Sequence, residues 1–197
     1  MTEPVDDPRV RFYLERRELI DEWIEAAKDE PREVERFLGG VADALSKIVS
    51  SDEDDWSMHR TRSGCGIYRP SWIGPDREPR AWVGLGWERG KVRFVGTEKT
   101  VWVGVRARLS GDHAHTRGII QQELAVEANG AGFEEIEPDT NNWPVSTWLP
   151  CEHENYWNDL APYRQQLLDE VTSAWRRVAP ALDEAFRQAG ELPLPEA

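Results

Sequence analysis

Along the first fifty residues, apolar positions recur every three or four steps. Phe12, Leu19, Ile20, Trp23, Ile24 and Ala27 fall close to one face of a helix over 9–29. Val34, Phe37, Leu38, Val41, Ala42, Leu45, Ile48 and Val49 then repeat the spacing almost without error. A stripe of this period is what a helix needs to bury one side. Pro31 stands between the two runs, and proline suits the first turn of a helix better than its interior. The pattern therefore predicts a helical hairpin over 8–50.

After the acidic turn "SSDEDDW" the period drops to two. "GCGIYRPSWIGP" reads as a short strand closed by prolines, while "AWVGLGW", "KVRFV" and "VWVGVRAR" alternate, with "ERG" and "GTEKT" as turns. That predicts a three- to four-stranded antiparallel meander over 64–108. "SGDHAHTRGIIQQELAVEANGAGF" reads as the next helix, with Ser110 or Asp112 as N-cap and Gly130 as stop signal. "NNWPVSTWLP" is a short extended segment that Pro144 confines to a sheet edge. A long stripe from Leu160 through Leu167, Val171, Trp175, Val178 and Leu182 to Phe186 predicts the last helix, which Pro180 should kink. The fold class is α+β: helical hairpin, antiparallel meander, then helix, short strand and long C-terminal helix. One domain is expected over 1–197, its last part, 112–190, being helix-strand-helix.

The chain has 197 residues, 39% hydrophobic and 10% aromatic, which is enough to build a core and excludes a disordered polymer. No apolar run approaches the roughly 18 residues of a membrane span, and the acidic start lacks the apolar segment of a secretory signal. Cys65 and Cys151 stand alone and far apart, giving neither a disulfide framework nor paired ligand spacing. A cytoplasmic protein with reduced thiols and no cofactor is the simplest expectation.

Net charge is −13, which argues against a general nucleic-acid binder, but its distribution changes the picture. Residues 1–59 carry 8 Lys/Arg against 17 Asp/Glu, residues 60–117 carry 12 against 5, and residues 118–197 carry 4 against 15. A basic middle between acidic ends is either a partner surface or a set of segments that neutralise one another within one fold.

In "VWVGVRAR", Val101, Val103, Val105 and Ala107 share one side of the strand, and Trp102, Arg106 and Arg108 share the other. Lys91 and Arg93 alternate with Val92 and Phe94 in the same way. One sheet face should be aliphatic and the other should carry Trp102, Lys91, Arg93, Arg106 and Arg108. Tryptophan beside arginine on an open sheet can stack bases and neutralise phosphates, or bind an acidic protein. Acidic side chains from the helices could equally cover that face.

Two further chemistries have atoms but weak spacing. His113, His115, Cys151 and His153 could form a zinc site if their loops met. Cys151 with His153 and Asn155 contains the atoms of a thiol nucleophile and its base. Serine-hydrolase, Walker and dinucleotide motifs are absent, and "GLGWERG" lies in a strand and hairpin, not before a helix. In "NNWPVSTWLPCEHENYW", Trp143 and Trp148 lie five apart and so tend toward opposite faces, which reads as packing that wedges the last helix on the sheet.

The order of elements from Arg80 to Gly190, with "RAWVGLGW", "VWVGVRARL", "ANGAGF" and "NNWPVSTW", resembles the accessory module found beside PD-(D/E)XK nuclease domains in prokaryotic restriction-like and defence proteins. The opening "VRFYLERRELIDEWIEAA" is similar to a helix of such proteins. The resemblance implies an accessory role without nuclease chemistry. Ala26, Leu45, Arg89 and Thr97 precede Lys28, Lys47, Lys91 and Lys99 by two residues, so no acid-x-lysine signature exists. The leading expectation is a non-catalytic interaction protein that binds a protein partner or nucleic acid through the basic Trp/Arg face, with no membrane association. The alternatives are an acidic immunity or inhibitor protein masking a basic partner, and a metal- or thiol-dependent enzyme.

Overall fold

Asp7 accepts a hydrogen bond from the Arg9 backbone N–H at 2.8 Å, and Pro8 follows where its missing N–H costs nothing. Together they start α1 (Pro8–Glu15), which Arg16 ends at φ −127° and ψ 18°. Next, α2 runs as one helix from Arg17 to Ser51 with Pro31 inside it. The break between the N-terminal helices thus lies at Arg16, not at Pro31. An interior proline costs about 3 kcal/mol but does not forbid the helix. Ion pairs Lys28–Glu25, Arg32–Asp29 and Arg36–Glu33 brace the turns around it, returning about 1 kcal/mol together. Burial of the following turns, at Val34, Phe37, Leu38, Val41 and Leu45, supplies the rest.

A computed structural model describes residues 7–51, 55–88, 101–107, 118–120, 122, 124, 143, 145–149 and 160–190. The architecture is α+β, with N-terminal helices, a five-stranded antiparallel sheet and a C-terminal helix. The chain divides into two compact units, Met1–Leu38 and Gly39–Ala197.

The strands are β1 (Ser57–Thr61), β2 (Gly64–Tyr68), β3 (Ala81–Trp87), β4 (Val101–Ala107) and β5 (Val145–Trp148), side by side in chain order. β1 escapes sequence reading because "SMHRT" has almost no apolar alternation. Direct pairing of β3 with β4, from Ala81↔Ala107 to Trp87↔Val101, leaves no place between them for another strand. "KVRFV", expected there, lies outside the described residues. At the sheet edge stands β5, as Pro144 suggested.

The C-terminal helix, α3 (Ala161–Gln188), is continuous through Pro180 and packs on β3 and β4. Its stripe of Leu167, Val171, Val178 and Leu182 is buried, as is the aliphatic side of the sheet formed by Val83, Leu85, Val103 and Val105. Residues 118–120, 122 and 124 are helical, inside the stretch expected as a helix, and Ile120 and Leu124 are buried. Tyr163 ties the start of α3 to the end of β5 by donating to the Leu149 carbonyl at 3.1 Å.

Asp183 makes the other attachment of α3. It accepts from Trp72 Nε1 at 2.8 Å and pairs with Arg69 Nε at 3.0 Å. Above that pair, Trp72 packs on Trp175 at 5.4 Å and on Phe186 at 5.8 Å, and Trp56 approaches Trp175 at 5.6 Å. The Arg69 guanidinium also lies 5.7 Å from the Trp175 ring centre. Removing the carboxylate strands an indole N–H and a partly buried cation at once, an unmet pairing that costs more than an ordinary hydrogen bond. Asp183→Ala should lose about 2 kcal/mol of stability in urea unfolding, while Asp183→Asn, which still accepts from Trp72, should lose about half as much.

Candidate functional site

Opposite the aliphatic side, the sheet carries glycines where side chains would ordinarily stand. The register His59↔Gly66↔Gly84↔Gly104↔Ser146 runs one row across all five strands. The adjacent row is Thr61↔Gly64↔Gly86↔Trp102↔Trp148, and on the other side Trp82 pairs with Arg106. Paired residues of neighbouring strands point to the same face, so these residues share one surface.

Indoles occupy the space that the glycines leave. A Cβ on Gly86 would strike the Trp102 ring and lie 2.6 Å from Trp143 Cζ2, and a Cβ on Gly66 would meet the ring edge of Trp82. At Gly84 an added Cβ would meet the backbone of Cys65 and Gly66, which has no freedom to retreat. Trp143 and Trp148 both pack edge-on against Trp102, at 5.7 and 5.2 Å. They converge instead of diverging to opposite faces, because strict alternation holds only within β5 and Trp143 precedes it. Trp148 shares the face of Trp102, opposite the aliphatic face, while α3 is held by its buried stripe on β3 and β4 together with Tyr163 and Asp183.

The other end of the face is polar and aromatic. The Arg106 guanidinium stacks 4.8 Å from the centre of Trp82, while His59 lies 4.5 Å from Trp82 and 6.4 Å from Tyr68. Trp102, Trp148, Arg106, His59 and Tyr68 are partly exposed and form the rim. Trp82 and Ser146 are buried beneath it, at 2% and 0% exposure. Among the described residues, Trp82 Nε1, Trp102 Nε1 and Ser146 Oγ of this face are buried without a hydrogen-bond partner. Such atoms ordinarily cost 1–3 kcal/mol each unless something satisfies them.

Sequence reasoning therefore placed Trp102 and Arg106 on the correct side. It missed Trp82, His59, Tyr68 and Ser146, and the signal that could have found them is the repeat "GCG", "GLG" and "VGV" on adjacent strands. Lys91, Arg93 and Arg108 lie outside the described residues, as do His113, His115, Cys151 and His153. Among the described residues no cluster of His, Cys, Asp or Glu could hold a metal ion, and no described helix is long and apolar enough to cross a membrane. Two arginines of the basic middle are matched by helical acids: Arg60 with Asp43 at 3.0 Å and Arg69 with Asp183.

No family model, curated protein or solved structure matches this chain.

Cys65 sits on the aliphatic side at 0% exposure. Burial pushes its thiol up to about 12 from the ordinary 9.0, against a smaller opposing pull from Arg60. A neutral, enclosed thiol is no nucleophile. In a Cys151→Ser variant, a thiol reagent at pH 8 should label Cys65 only after denaturant is added. The pKa shift carries a sign for stability. Below pH 9 the thiol is protonated in both states, whereas between 9 and about 12 only the unfolded chain loses the proton. Stability should fall across that window, and the fall should be shallower in Cys65→Ala, measured as the slope of urea midpoint against pH.

Proposed function

We propose that this protein works by binding, and that its ligand is a single-stranded nucleic acid held on the tryptophan face of the sheet. The observation that carries this reading is the partly exposed rim of Trp102, Trp148, His59, Tyr68 and Arg106 gathered on one glycine-floored surface, with Arg106 stacked on Trp82. Exposed rings beside a guanidinium suit a ligand of flat, acceptor-rich units, and unstacked bases with phosphates supply both. Rings at the rim offer stacking worth about 1–3 kcal/mol per base. The resemblance to accessory modules of restriction-like and defence proteins gives such a binder its setting, a bacterial nucleic-acid-processing or defence system.

The charge of −13 constrains how such binding is built. With Arg60 and Arg69 matched by helical acids, long-range attraction contributes little and stacking carries the affinity. Each phosphate neutralised adds about −0.7 to the slope of log K against log salt for a single strand. A shallow slope therefore distinguishes a stacking site from a broadly basic face.

The test is fluorescence anisotropy of labelled single-stranded DNA and RNA, and of a duplex control, across a salt series. Single strands should bind with a shallow salt slope and the duplex weakly. Trp148→Ala should weaken binding about 5- to 150-fold, and Arg106→Glu should abolish it, with circular dichroism confirming that both variants fold. No binding of any strand at low salt would sink the nucleic-acid reading and assign the face to a protein partner.

A further inference from the structure

The apolar line of α2 is longer than the part of it that is buried. Ile20, Trp23, Ile24 and Ala27 continue the line of Val34, Leu38, Val41 and Leu45 at helical spacing. The second set is buried, but Trp23 is 62% exposed and Ile24 49%. In α1, Leu14 is 54% exposed and Phe12 53%. Contiguous large apolar side chains left in water mark a surface that something covers.

Charge along the same segment says what covers it. Residues 9–17 hold four arginines against one glutamate, and residues 18–35 hold eight acids against two basic residues. The segment is thus basic at one end and acidic at the other, complementary to itself when turned end for end. Turned end for end about Trp23, the arginines at 16 and 17 of one copy come level along the helix with the acids at 29 and 30 of the other, in competition with the intrahelical pairs Arg17–Asp21 and Arg32–Asp29.

We infer that this chain forms an antiparallel two-fold dimer through α1 and the first half of α2, with Trp23 of each copy at the centre and arginine–carboxylate pairs at both ends. The occupant of the exposed stripe is a second copy of the same chain. Mixed charges set register and direction, and the apolar stripe supplies the association.

Sedimentation velocity on the full chain at about 1–100 μM is the test, a range that resolves micromolar dissociation constants. The wild type should be a dimer, and Trp23→Glu should be monomeric with an unchanged circular-dichroism spectrum, because an exposed side chain does not support the fold. Arg16→Glu/Arg17→Glu and Asp29→Arg/Glu30→Arg should each self-associate at least tenfold more weakly, and an equimolar mixture of the two should restore a dimer. A wild type that stays monomeric at the highest concentration overturns the inference and leaves the stripe to a different partner. A dimer indifferent to Trp23→Glu, or charge variants that fail to rescue each other, overturns it as well.

Discussion

The structure depends on indoles filling the space where the central strands have no side chains. β2, β3 and β4 meet at glycines, and Trp82, Trp102 and Trp143 fill the volume above them. A side chain at Gly84 would drive into neighbouring backbone, and one at Gly86 would displace two rings. Glycine weakens a strand in isolation, and here the aromatic layer offsets that weakness. Each buried indole removes a large apolar surface from water at about 25 cal/mol per Å².

The two faces of the sheet are thus built on different principles. One is an aliphatic layer of Val83, Leu85, Val103 and Val105, buried on the side that takes α3. On the other, rings over glycine leave polar atoms of Trp82, Trp102 and Ser146 without partners. The partly exposed rings and Arg106 over that glycine floor mark the side proposed to bind, opposite the side that takes α3.

Charge follows the same division. Acidic residues of the helices answer arginines of the sheet region at Asp43–Arg60 and Asp183–Arg69. Of the two readings the charge map allowed, neutralisation within the fold accounts for these two arginines. Arg106 is handled differently, stacked on Trp82 at the rim. On α1 and the exposed half of α2, basic and acidic stretches instead follow one another along a single surface.

Pro144 marked the edge position of β5, and periodicity determined the α+β layout, the two faces of β4 and the stripe of α3. These follow from repeats of 3.6 and 2 that need no partner to be visible. Tertiary structure decided the rest. Pro31 is carried within a helix because burial further along outweighs a local penalty that sequence reading takes at face value. β1 exists because β2 pairs with it, not because "SMHRT" alternates. Trp148 meets Trp102 because pairing with β4 places it there, and Trp143, ahead of the strand, closes on the same ring. The row from His59 to Ser146 joins residues nearly ninety positions apart, and only strand register, a long-range property, brings them onto one surface.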